Sequence, residues 1–337
     1  MRRTAPTLVT PEPVRKGYPI ARASRLSHVT FERPDLARTA RFLEDFGLRV
    51  VATSDAELLL RGAGEPTYCY VVRQGQRPRF VGFGLEVSSF VEIQALAAIP
   101  GATRIASVDR PGGGMFTRLS DPAGFEVEAI LPARSTMRAK ERPPLIDNTP
   151  QVEGIGQVVI EVADFQAASR WYTEHLGLIP SDVEVLPDGS PGFVYFRLDR
   201  GAAPTPGHTF GVAQGFVPTL GRCAFRTTDF ASLRAHRRAL TERGWTHVRG
   251  IGRRVVGAYL CDCWKDPYGD EHEHICQGDL VDASAPRTVH AMQAHPITPL
   301  TKVPGDRFST PRNVPPGWLR FWRRGAVSRE ENCHVFS

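Results

Sequence analysis

IGRRVVGAYLCDCWKDPYGDEHEHICQGD, residues 251–279, decides the fold. An alternating run, VVGAYLCDCW, breaks at Asp266-Pro267-Tyr268-Gly269 and resumes as DEHEHIC. Proline presets φ for a tight turn and glycine tolerates the positive φ that closes it, so the stretch reads as strand, turn, strand. Period-2 alternation then puts Glu271 and Glu273 on one face of the second strand and His272 and His274 on the other. A carboxylate, two cysteines (Cys261, Cys263) and two arginines (Arg253, Arg254) meet in this hairpin.

The same turn-and-strand occurs earlier. DPAGFEVEAI at 121–130 aligns with DPYGDEHEHI at 266–275. Upstream of each lies a strand followed by a helix: FVGFGLEVSSFVEIQALAAI at 80–99 against LGRCAFRTTDFASLRAHRRAL at 220–240. LSHVTFERPDLARTARFLEDFGLRV and IGQVVIEVADFQAASRWYTEHLGLI form a second matched pair, aligned from His28 against Gln157 to Leu48 against Leu178. Asp35 and Asp164 sit where a side chain caps a helix N-terminus, and Gly47 and Gly177 stand where a left-handed residue ends one. Four strand–helix–strands units thus begin near residues 26, 79, 154 and 219, and pair into two halves. Duplicated units of this size bury their apolar faces against one another. The predicted class is α+β: four βαβββ modules in two tandem domains, each a curved sheet or open barrel around a cavity.

Domain bounds follow. Residues 1–25 are predicted as a flexible arm, 26–133 as a two-module scaffold domain, and 134–152 as a charged, Pro-containing linker. Residues 153–283 form the two-module domain with the active cavity. The Pro-rich 284–337 is a tail whose prolines exclude long helices or strands, with Trp318, Phe321 and Trp322 available to dock it.

At 337 residues the chain exceeds one ordinary core, which supports two domains. Net charge is +6 without a basic block, so no nucleic-acid surface is predicted. No apolar run reaches the roughly 18 residues that span a bilayer, and the basic N-terminus lacks a signal's apolar core. Six cysteines without framework spacing read as reduced thiols. A cytoplasmic protein is expected.

The residues GRRVVGAYLCDCWKDPYGDEHEHICQGD, with VVIEVADF, WYTEHLGL, FRLDRG, GHTFGV and CAFRTTDF, carry a resemblance over about 26–283. The chain resembles the vicinal oxygen chelate (glyoxalase/bleomycin resistance/dioxygenase) superfamily, and within it the type I extradiol ring-cleaving dioxygenases. The resemblance implies a non-haem Fe(II), sometimes Mn(II), held by two histidines and a glutamate with open positions for a catechol and O2. The implied ligand positions fall on Gln157, Arg222 and Glu273. The implied acid–base histidine falls on His208. A pocket histidine of the family is Arg254 here, and a tyrosine is Cys263.

Two of the three implied ligands are therefore replaced. Gln offers a weak carbonyl donor; Arg is always protonated and has no lone pair to give. No resident metal is expected. Were one present, Glu273 with His208 would hold it, as Fe(II) or another divalent ion. A zinc set from His208, Cys263 and Glu273 with Cys261 nearby is a further option, and His28, Gly82 and Glu128 are the first half's counterparts of the ligand positions. His272 and His274 are expected to pack between domains or at a surface.

The expected function is an extradiol-dioxygenase-like oxidoreductase that oxygenates or rearranges a phenolic, quinonoid or polyketide-like small molecule in aromatic or secondary metabolism. O2 is a candidate co-substrate. His208, Glu273 and Arg222 are the expected catalytic residues, and Gln157, Arg254, Cys263, Tyr259 and Trp264 the substrate-binding ones. A metal-dependent dioxygenase with atypical ligands and a non-catalytic binding or resistance protein are the alternatives. A homo-oligomer without nucleic-acid or membrane partners is expected.

Overall fold

A computed structural model describes residues 8–9, 18–64, 67–133, 150–292 and 297–299. Its elements repeat four times. The first unit runs through the strand Arg25–Arg33, helix α1 (Leu36–Asp45) and strands Arg49–Thr53, Glu57–Arg61 and Tyr70–Gln74. The second has Arg79–Glu86, α2 (Phe90–Ala97), Ala106–Ser107, Met115–Ser120 and Glu126–Leu131. The third has Gly154–Val162, α3 (Phe165–Leu176), Ile179–Val185, Pro191–Arg197 and Phe210–Gln214. The fourth has Thr219–Arg226, α4 (Phe230–Glu242), Thr246–Arg254, Leu260–Lys265 and Glu271–Cys276.

In each half the strands lie in the order second, third, fourth, first of one unit, then first, fourth, third, second of the next. The two opening strands are antiparallel neighbours, while each opening strand pairs in parallel with the fourth strand of its own unit. The result is two curved half-barrel sheets of mixed α+β architecture. No helix among the described residues is long and apolar enough to cross a membrane.

Local signals explain the helices. Asp35 accepts from the Arg38 amide at 2.8 Å and Asp164 from the Ala167 amide at 2.9 Å, each satisfying an orphan donor of the first turn. α3 ends at Gly177 in the left-handed region, φ 66°. Between its cap and its glycine α3 holds one more residue than α1, so the internal alignment carries a one-residue insertion there.

One apolar core spans both halves. Phe83 of the first packs on Phe210 of the second at 5.1 Å, and Phe46 on Phe225 at 5.7 Å. The two Asp-Pro-x-Gly turns dock reciprocally across the seam. Asp121 accepts from the Ala123 and Phe125 amides and from Tyr172 of α3 at 2.7 Å. Asp266 accepts from the Tyr268 and Asp270 amides and, at 2.8 Å, from the buried Arg33. Tyr172→Phe would leave a buried carboxylate oxygen short of a donor, so a loss of about 1–3 kcal/mol is expected, read as a lower urea midpoint at unchanged slope.

His272 and His274 lie in this seam, on the face opposite Glu273. His274 donates Nε2–H to the Phe46 carbonyl at 2.8 Å and stacks on the Phe46 ring at 3.9 Å. His272 donates Nδ1–H to the Asp270 carbonyl and so accepts from the Tyr70 hydroxyl at 2.9 Å. Both rings are spent on joining the halves.

Two boundary expectations need correction. The arm predicted for 1–25 ends earlier, because Ile20, Ala21 and Ala23 donate backbone N–H groups to the carbonyls of Glu174, His175 and Leu176 at 2.9–3.0 Å, and Ala21 and Ala23 are buried. The predicted tail begins as sheet. Thr288–Ala291 pairs in parallel with Ile179–Val185 and antiparallel with Leu8–Val9, and Ile297–Pro299 pairs with Thr246–Arg254. These are edge additions of four, two and three residues, and the proline they contain, Pro299, ends its strand at the sheet edge, where a missing N–H is tolerated. Trp318, Phe321 and Trp322 lie outside the described residues, as does the linker up to 149.

Candidate active site

The concave face of the second sheet is set by register. Gln157 pairs with Ala224, Ala224 with Glu273, Glu273 with Cys263 and Cys263 with Arg249, which places these side chains in one row. Arg222, two residues before Ala224, and Glu271, two before Glu273, share that face. Trp264 does not. It pairs with His272 on the opposite face, donates Nε1–H to Asp262 at 2.9 Å and packs on His247, so the expectation that it binds substrate is corrected.

Glu273 is fully buried and faces three arginines. Arg254 Nη2 makes a short charge-assisted hydrogen bond to Oε1, Arg222 Nε lies 3.2 Å from Oε2, and Arg249 Nη2 lies 3.5 Å from Oε1. The Arg222 contact is an ion pair without hydrogen-bond alignment; Nε and Oε2 each lack a hydrogen-bond partner among the described residues. Burial pushes the Glu273 carboxyl up, but Arg254, Arg222 and Arg249 outweigh it and hold it below the ordinary range. Glu271 closes the far side, 2.5 Å from Arg249 Nη2. Cys263 touches Glu271 at 3.5 Å. Burial pushes the Cys261 thiol up to about 12 and Cys263 also upward, so neither is a ready thiolate.

The cluster continues toward open space through Arg222. Its Nη2 donates to Gln157 Oε1 at 3.2 Å, the Tyr195 hydroxyl at 3.2 Å and the Tyr259 hydroxyl at 3.4 Å, and Tyr259 itself donates to Gln157 Oε1 at 3.3 Å. The Gln157 amide donates to the His208 carbonyl at 3.1 Å. A cavity of about 390 Å³ opens here, bounded by Gln157, Tyr259, His208, Asp182, Arg226 and Cys276. Its volume suits a small ring compound. Arg222, Arg254, Glu273 and Cys263 lie behind its wall, outside the lining.

His208 is held on all sides. Its Nε2 lies 2.7 Å from Asp182 Oδ2, and its ring stacks on Tyr195 at 3.9 Å and 4°. Burial pushes the Asp182 carboxyl up, but the hydrogen bonds from His208 and His290 dominate and hold it at about 2. Facing a carboxylate, Nε2 must carry the proton, so a neutral His208 keeps its lone pair on Nδ1. Burial moves the His208 ring's own pKa down more than Asp182 moves it up, favouring that neutral form. Nδ1 has no hydrogen-bond partner among the described residues. Directly over it is Gly257, φ +80°, where a Cβ would stand 2.4 Å from Nδ1. The Gly257 backbone therefore covers Nδ1, which is buried, and only a glycine fits so close.

Asp182, His290, Tyr195 and Arg249 join the site although none is among the residues predicted for it. Asp182 and Glu184 are two acids in a mostly apolar strand, IPSDVEV, a signal for a buried polar role; His290 lies in the Pro-rich segment predicted as a tail.

These residues do not fit a divalent metal. At the implied ligand positions stand an amide already donating and accepting, a guanidinium without a lone pair, and a carboxylate whose oxygens face guanidinium nitrogens. The first half repeats the pattern: Glu128 meets His28 at 3.3 Å and also Arg73, Arg110 and Arg118 at 3.0–3.3 Å. Among the described residues no group of three or more His, Cys, Asp and Glu side chains is arranged to hold a metal ion, the zinc set included.

Residues 154–271 match the model of the Glyoxalase/Bleomycin resistance protein/Dioxygenase superfamily. Metapyrocatechase 2 of Cupriavidus necator is 23% identical over 275 residues, covering 77% of this chain and 82% of the relative. The Mn(II)-bound glyoxalase of Novosphingobium aromaticivorans superposes with a TM-score of 0.73 at 18% identity, over 94% of this chain and 98% of the other. A variant of homoprotocatechuate 2,3-dioxygenase from Brevibacterium fuscum gives 0.70 at 19%, over 83% and 78%. At such identities the structures establish the shared fold.

Proposed function

We propose that the chain is an enzyme that deprotonates a small phenolic, quinonoid or polyketide-like molecule in this cavity and so commits it to oxygenation or rearrangement, without a Fe(II) triad. The carrying observation is His208, oriented by Asp182, with a buried Nδ1, unpartnered among the described residues, under Gly257 and its ring beside the Gln157–Tyr259–Arg222 cluster. In the step proposed, the Gly257 turn shifts off Nδ1 and a substrate hydroxyl gives its proton to that nitrogen. Asp182 balances the imidazolium. The oxygen left negative is stabilised by the Tyr259 hydroxyl and, behind it, by Arg222 and Arg254, whose charges act strongly in a buried site. The anion is the electron-rich form that reacts with O2 as co-substrate or shifts a double bond. Relatives named for pyrocatechol and homoprotocatechuate support the substrate class.

Glu273 takes an electrostatic role in this reading: it holds Arg222 and Arg254 in place. His208→Ala is expected to lower turnover of a responsive phenol about 10²- to 10⁴-fold. Full turnover in that variant would refute the role of His208. Stoichiometric Fe, Mn or Zn in protein purified without chelator would refute metal independence and favour a metal-dependent dioxygenase. Tight binding with the ligand recovered unchanged would favour a binding protein. The reading also takes in a cytoplasmic homo-oligomer of aromatic or secondary metabolism, and light scattering that shows a monomer would remove the oligomer.

A further inference from the structure

We propose that His290, on the strand Thr288–Ala291 outside the four repeated units, is a positioning residue for His208, acting through Asp182. The proposal rests on the reading of His208 as the base. Asp182 divides its carboxylate between two imidazoles: Oδ2 takes His208 Nε2 at 2.7 Å and Oδ1 takes His290 Nε2 at 2.8 Å. The terminal torsion of an aspartate is broad, so one hydrogen bond leaves the carboxylate free to swing. A second donor on the other oxygen fixes its plane. That plane keeps Oδ2 aligned on His208 Nε2–H, and so holds the lone pair on Nδ1.

The fold built this contact by addition. Thr288–Ala291 lies in parallel along Ile179–Val185, with Asp182 opposite Thr288 and Glu184 opposite His290, and it brings the His290 ring back to Asp182. In the first half no strand among the described residues lies beyond Arg49–Thr53, the element equivalent to Ile179–Val185. Accessibility is graded along the group: the side chain of His208 is 5% exposed, that of Asp182 18% and that of His290 28%. The outer imidazole thus closes the solvent side of a carboxylate that water would otherwise contact. Glu184, Arg222 and Arg254 are the other charged groups around the pair.

The test reads the tautomer of His208 directly, by imidazole ¹⁵N NMR on the full chain without substrate. The native chain is expected to show one tautomer, protonated at Nε2. His290→Ala is expected to give a mixture of tautomers. His290→Gln, which returns an N–H to Asp182, is expected to keep the single form. With a turned-over phenol, His290→Ala is expected to lower kcat roughly ten- to a hundredfold at unchanged KM. A single tautomer persisting in His290→Ala overturns the proposal, as does its loss in a His290→Gln chain with native circular dichroism. If His208→Ala keeps full turnover while the tautomer follows His290, the proposed reaction fails and the positioning contact stands.

Discussion

Glu273→Gln is expected to destabilise the fold by about 3–5 kcal/mol, the range for breaking a buried ion pair at one partner. The amide can still accept one hydrogen bond from Arg254, but it carries no charge. Arg222 and Arg254, both buried, would then face each other with only the Glu184 carboxyl, itself pushed upward by burial, as a nearby counter-charge. The contrast that separates charge from packing replaces Glu273, Arg222 and Arg254 together by leucine or methionine. Buried ionic groups exchanged for apolar ones of similar volume often leave stability level or raised. Urea unfolding at neutral pH checks both; an unchanged midpoint for Glu273→Gln would mean that the cluster is not coupled as its distances indicate.

Acid dissects the same cluster. The Glu273 carboxyl is held below its unfolded value, so its contribution to stability is fully present above about pH 4.3 and is lost as pH falls through the lower folded value. Asp182, at about 2 when folded, adds a contribution lost between about pH 4 and pH 2. The native chain is therefore expected to lose stability over that window. Glu273→Gln, starting lower, should fall less steeply through it.

The sequence made the scaffold readable because each unit carries its own punctuation. Asp35 and Asp164 cap, Gly47 and Gly177 end their helices, and Asp121 and Asp266 open matched turns, all signals that act within a few residues. The floor of the site followed in part: alternation from Gly269 fixes the face of Glu273, and the family resemblance, not the repeat, joins it to Gln157 and Arg222. Trp264 was misplaced although the same alternation separates it from Cys263. His290 was out of reach for another reason. Its meeting with Asp182 depends on how an edge strand from beyond residue 283 pairs with the third unit, and no local pattern specifies such long-range pairing.

Gln157→His/Arg222→His/Arg254→His is expected to turn the cluster into a metal site. The native positions are closed by two positive charges lying against Glu273, and a dication would have to displace both. Imidazole at 157 and 222 supplies two neutral lone pairs on adjacent strands, while histidine at 254 withdraws the guanidinium that holds Oε1. Glu273 then has an oxygen free, and its row in the sheet leaves it facing residue 157 across Ala224. Two imidazoles and a carboxylate on one face are a set that holds Fe(II) or Mn(II) with positions left open. Mn(II) uptake, followed by loss of the free-ion paramagnetic resonance signal, should go from no saturable binding in the native chain to one equivalent with a Kd on the order of micromolar, about −8 kcal/mol. A folded triple variant that takes up no Mn(II) would show that more than charge closes the site. Native protein that binds one Mn(II) and loses it on Glu273→Ala would show that the guanidiniums yield to a metal.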